Sequence, residues 1–138
     1  MTKNDFVNLL GENNLVVIKG NNLYSYNERG IKSLIEILKT DKDFLKDSIV
    51  IDKLIGKAAA SLLSYGQVKE VYTLLISEQA IPVFKKQHIH FEYIDKCPYI
   101  IRRDGKGMCP MEETVQDIED PSVAFKALLQ KLEHLGGQ

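Results

Sequence analysis

Apolar and polar positions alternate with two different periods along this chain, and the switches between them mark out its elements. Phe6, Val7, Leu9 and Leu10 form a short helical cluster that Gly11 closes, with Thr2 as its N-cap. Leu15 to Ile18 and Leu23 to Tyr26 read as strands around Gly20-Asn21-Asn22, a hairpin turn. Ile31, Leu34, Ile35 and Leu38 recur at helical spacing, which predicts an amphipathic helix over 30–40. Ile49-Val50-Ile51 and Val71 to Ile76 are wholly apolar runs, of the kind buried on both faces of a sheet. Between them, the small residues from Leu54 to Leu63 predict a helix over 54–64, and the run Ala58-Ala59-Ala60 would let it lie close against the sheet. Ser77-Glu78 reads as the cap of a helix ending near Gln87, Ile89 to Ile94 as a strand, and Asp120-Pro121 as the start of a helix running to Leu135.

These elements predict strands near 14–19, 22–26, 48–52, 70–76 and 90–95. An antiparallel hairpin followed by alternating helices and strands calls for an α/β fold with three α/β/α layers. Its mixed five-stranded sheet would be largely parallel in the last three strands and covered by helices on both faces. Neither a linker nor a repeat interrupts the chain, so residues 1–138 read as one domain.

Composition narrows the function by exclusion. A net charge of −1 lacks the basic excess of a nucleic-acid or acidic-membrane surface, so neither partner is expected. No apolar run approaches the ~20 residues that span a bilayer, and no secretory apolar core follows the N-terminus. Cys97 and Cys109 are too few for a disulfide framework and suit a reducing compartment, so a cytoplasmic location is expected. Nothing in the composition speaks against a homo-oligomer.

The candidate chemistry gathers in three places. Asn27-Glu28-Arg29-Gly30 opens one helix, and Asp52-Lys53-Leu54-Ile55-Gly56-Lys57 leads from a buried strand into another. Ligands of open α/β sheets bind where helix starts converge beyond the strand ends, and unpaired N–H groups there favour anions. The third place is the run Arg102 to Glu113, with three cations, three carboxylates, two glycines and a thiol in twelve positions. Cys109-Pro110 followed by Glu112 and Glu113 reads as a helix start with acids in its first turn. The run is expected to fold back over the two helix starts, whose N–H groups would take its acids.

The candidate ligand-binding set is therefore Asn27, Glu28, Asp52, Lys53, Gly56, Lys57, Arg103, Gly107, Cys109 and Glu112. Lys57 and Arg103 would supply charge to an anionic small molecule such as a nucleotide or phosphate ester, and Gly56 and Gly107 would permit close approach. The pattern is not a phosphate-binding P-loop, because Ala58 stands where a hydroxyl would hold Mg²⁺. A metal-free enzyme using Cys109 or Lys57 is the second reading, and an inactive interaction or regulatory module the third. No catalytic residue is assigned and no cofactor is expected. His88, His90, Cys97 and Cys109 lack the tight spacing of a zinc site, so no metal is expected either.

The strings Asp52-Lys53-Leu54-Ile55-Gly56-Lys57-Ala58-Ala59-Ala60 and Arg103-Asp104-Gly105-Lys106-Gly107-Met108-Cys109-Pro110-Met111-Glu112-Glu113 resemble an uncharacterised bacterial domain-of-unknown-function family assigned to the cytidine deaminase-like fold. The resemblance implies that fold, in the order hairpin, helix, strand, helix, strand, helix, strand. It does not bring deaminase chemistry with it. Zinc deaminases carry His/Cys-x-Glu and Pro-Cys-x-x-Cys at two helix starts, whereas no His or Cys precedes His88 here.

Overall fold

The structure is a computed structural model that describes residues 1–28, 30–102 and 104–136. The chain runs α1 (Lys3–Leu10), β1 (Leu15–Lys19), β2 (Asn22–Tyr26), α2 (Lys32–Thr40), β3 (Ile49–Ile55), α3 (Lys57–Tyr65), β4 (Glu70–Ser77), α4 (Ile81–Lys86), β5 (His90–Cys97), α5 (Pro110–Val115) and α6 (Pro121–Gly136). The five strands form one mixed sheet in the order β2-β1-β3-β4-β5. β1 is antiparallel to β2 and to β3, while β3, β4 and β5 are parallel. Gly20, at φ 59°, supplies the positive φ of the tight turn between β1 and β2.

Several boundaries shift from the sequence reading, and at two of them the type of element changes. Leu54 and Ile55, read as helix, extend β3 by pairing with Leu75 and Ile76 of β4. A ladder that adds two more parallel pairs outweighs local helical spacing. Ser77 likewise ends β4 rather than capping a helix. Its hydroxyl accepts from the Gln79 N–H at 3.1 Å, which makes a turn, and α4 starts only at Ile81.

The helices cover both faces of the sheet, but unevenly. α1 packs alone on one side, where Phe6 and Leu10 meet Val16, Ile51 and Tyr72. Its start is a full capping box, Asp5 N–H to Thr2 and Thr2 N–H to the Asp5 carboxylate. The other side carries α2 to α6 and the larger core. The strand order explains the imbalance. Parallel strands β3, β4 and β5 advance in one direction, and right-handed crossovers then place both connecting helices on the same face.

α3 lies at the centre of that thick side. Every residue from Lys57 to Ser64 is buried, because the sheet lies on one flank and α2, α4, α5 and α6 pack around the rest. The alanines allow that crowding. Among the described residues no helix is long and apolar enough to cross a membrane.

Candidate functional site

β3 reaches the site through an irregularity. Ile51 and Tyr72 belong to the core under α1, while Ile55 and Ile76, four residues further on, belong to the opposite core. An even spacing should keep one face, so the alternation slips once in each strand, where the ladder skips Lys53 and Leu74. Gly56 follows in extended conformation and α3 begins at Lys57.

That helix start is already occupied. The Lys57 N–H donates to Glu112 Oε1 at 2.8 Å and the Ala58 N–H donates to Glu112 Oε2 at 2.9 Å. A carboxylate of α5, 3% exposed, thus caps α3 with both oxygens. Gly56 is what makes room for it. A Cβ at position 56 would lie 2.3 Å from Glu112 Oε1 and 2.7 Å from Ile100 Cγ1. Burial pushes the Glu112 carboxyl above its ordinary value, against the opposing pull of the Ala58 and Lys57 N–H groups and the Lys57 charge. The acid therefore takes the N–H groups of one of the two helix starts expected for it, that of α3.

The Lys57 side chain, 9% exposed, runs the other way. Its Nζ donates to the Gln116 carbonyl at 2.8 Å. The Gln116 side-chain amide in turn donates to Gln79 Oε1 at 2.8 Å and to the Glu112 carbonyl at 3.1 Å. Lys57, Gln79 and Gln116 form the polar floor of a cavity of about 500 Å³. Its apolar walls are Pro82 and Val83 of α4 and Ile118 beyond α5, and its rim carries Lys86, Gln87 and Glu119. Lys86 and Glu119 stand 3.9 Å apart across that rim, both largely exposed.

The remaining predicted residues are scattered around this floor rather than gathered on it. Asp52 is buried inside the sheet beside Leu15 and Thr73, and burial raises its carboxyl to about 7 against the pull of the Leu54 and Lys53 N–H groups. Lys53 is exposed, and its N–H donates to the Asn14 carbonyl at 3.0 Å. The Asn27 carbonyl accepts from Asn14 Nδ2 at 2.7 Å, and Glu28 forms an exposed ion pair with Lys32 at 3.4 Å. Among the described residues, the cavity shares only Lys57 with the predicted set.

The charged run after β5 is a short hairpin. Arg102 N–H donates to the Gly107 carbonyl at 2.7 Å and Cys109 N–H to the Ile100 carbonyl at 3.0 Å, around an isolated bridge between Ile101 and Met108. Arg102 pairs with Asp104 at 2.9 Å, so part of its charge is neutralised locally. A Cβ at position 107 would meet nothing within 4 Å, so the need for glycine there comes from φ 118° rather than from close approach. Arg103 lies outside the described residues. Cys109 is the half-buried N-cap of α5, with no basic side chain hydrogen-bonded to its thiol among the described residues. His90 pairs with Glu92 at 2.9 Å, and among the described residues no three His, Cys, Asp or Glu side chains cluster as metal ligands.

Sequence reasoning missed Gln79, Lys86 and Gln116. Lys86 reads as a solvated charge at the end of a helix, and glutamines carry no spacing signal of their own.

Fold and site together define a mixed α/β domain in which a buried lysine connects a capped helix start to an open cavity. Residues 6–132 match the family model described as TM1506, a domain of unknown function (DUF1893), and the chain belongs to that family. The crystal structure of a DUF1893 family protein (TM1506) from Thermotoga maritima is similar to this chain with a TM-score of 0.84. The two are 30% identical over 95% of this chain and 92% of that one. No curated protein matches the chain.

Proposed function

We propose that this protein binds a small anionic metabolite in the cavity between α4 and the segment that joins α5 to α6. One observation carries the reading. Lys57, 9% exposed as a whole residue, lines the cavity, and among the described residues its ammonium has only one of its three N–H groups engaged, by the Gln116 carbonyl. A buried cation with spare donors favours an anion. Lys86 adds a second charge at the rim, while Gln79 and Gln116 offer amide donors and acceptors. Pro82, Val83 and Ile118 give the ligand apolar walls, in keeping with the mixed lining of small-molecule sites. A phosphate ester or nucleotide fits this set of groups.

The cytidine deaminase-like scaffold suggested by the sequence is part of the same reading. The observed order of hairpin, helix, strand, helix, strand, helix, strand supports it. Glu112 occupies the start of α3, the counterpart of a helix start where zinc deaminases hold metal ligands, so the scaffold serves binding rather than deamination. Metal-free catalysis by Lys57 is disfavoured by its contacts, since its Nζ is tied to the Gln116 carbonyl and no side-chain base is hydrogen-bonded to it among the described residues.

The test is a titration of phosphate, pyrophosphate and nucleoside phosphates, followed by calorimetry on wild type and Lys86→Ala. Binding weakened about three- to tenfold by Lys86→Ala supports the reading, as a rim charge is worth about 1 kcal/mol. Absence of binding across the panel, or affinity indifferent to Lys86, defeats it.

A further inference from the structure

We propose that α5 is a latch whose docking competes with anion binding in the cavity, so that an occupied cavity loosens α5 and an undocked α5 raises anion affinity. The inference rests on the cavity reading above and concerns how that site is regulated. Lys57 is the shared element. Its backbone N–H and the next one hold the Glu112 carboxylate, and its Nζ holds the Gln116 carbonyl at the other end of α5.

α5 also packs against α3 and α6. It is six residues long, and only Glu112 and Val115 are buried in it. Two of the groups that fix it, Glu112 and the Gln116 carbonyl, thus depend on one lysine. An anion in the cavity draws on the same ammonium whose charge also acts on the Glu112 carboxylate. Like charges sharing one cation in a low-dielectric site oppose each other. Gln116 carries the effect further, because its amide bridges Gln79 on the cavity floor to the Glu112 carbonyl within α5. Linkage makes the effect reciprocal: whatever factor α5 docking takes from anion affinity, the anion takes from α5 docking.

Two variants separate the latch from a plain charge effect. Glu112→Gln removes the charge and leaves one acceptor for the two N–H groups of α3. Val115→Ala loosens the other buried anchor of α5 and changes no charge. Pyrophosphate is the probe, titrated by calorimetry onto wild type, Lys86→Ala, Glu112→Gln and Val115→Ala, with folding verified by circular dichroism. Amide hydrogen exchange over 110–116 is followed with and without pyrophosphate. The latch predicts that both α5 variants bind tighter, by about 5- to 150-fold, and that pyrophosphate speeds exchange over 110–116 in wild type. Tighter binding by Glu112→Gln alone, or exchange that does not change, overturns the latch. If wild type binds and Lys86→Ala weakens it while neither α5 variant binds tighter, the latch falls and the cavity reading stands. If no form binds pyrophosphate, both fall together.

Discussion

Replacing Asp52 by Asn is expected to stabilise this protein at neutral pH, and to do so less and less as the solution is acidified. Asp52 is 8% exposed, on a rung between Leu15 of β1 and Thr73 of β4, and has no cation as a partner among the described residues. By the alternation from Val50 its side chain lies on the thick side of the sheet. Burial raises its carboxyl from 3.8 to about 7. An unfolded chain ionises this group near 3.8, so between about pH 4 and pH 7 the folded state holds a proton that the unfolded state has released. Stability therefore falls as pH rises through that window. The gap of about three pH units, at about 1.4 kcal/mol each, comes to about 4 kcal/mol by pH 8.

Asn carries no charge but keeps an oxygen near the Lys53 and Leu54 N–H groups that pull on the carboxyl. With about 2.1 cal/mol/K of unfolding entropy per residue, 4 kcal/mol corresponds to about 10 to 15 °C in melting temperature for a chain of 138 residues. Thermal melts of wild type and Asp52→Asn at half-unit steps from pH 4 to pH 8 would read it directly. The curves should converge near pH 4 and separate with the variant on top. A variant that melts below wild type at pH 8, or a difference that stays constant across the range, would refute the reasoning.

Three further predictions concern the capped helix start. Gly56→Ala should destabilise by at least about 2 kcal/mol, because the added methyl collides with the Glu112 carboxylate and with Ile100; chemical denaturation measures it. Glu112→Ala should cost about 2 to 4 kcal/mol in the same assay, since it strands two buried N–H groups of α3. Lys57→Ala should lower the melting temperature as well as anion affinity, because the Nζ contact to the Gln116 carbonyl goes with it, whereas Lys86→Ala should lower affinity alone.

Much of the sheet is legible in the chain because its signals are local. The turn at Gly20 sits between two runs of strand-forming residues, and Ile49-Val50-Ile51 and Val71 to Ile76 are apolar without a break, as doubly covered strands must be. Leu54 and Ile55 mislead because an apolar pair beside an alanine run satisfies helical spacing as well as it continues a strand. Only the partners Leu75 and Ile76 decide the matter, and they lie on another strand. The uneven helix layers follow from strand order, which a one-dimensional pattern does not contain.

The candidate site divides along the same line. Gly56, Lys57 and Glu112 are each visible as chemistry, and the expectation that an acid of the charged run would seek a helix N-terminus describes what Glu112 does. Its partner, 55 residues back in the chain, is one of the two helix starts that the reading named. A glycine before a helix and a lysine in its first turn look the same whether the anion they receive is a ligand or a side chain of the protein. Geometry separates the two cases here. The backbone N–H groups hold the internal carboxylate, which leaves the lysine side chain as the group that faces the cavity. A buried cation facing an open cavity is a costly thing to keep for structure alone, since an apolar side chain of similar length would fill the same space without a desolvation penalty. That asymmetry is why the functional reading rests on Lys57 Nζ and not on the helix start that carries it.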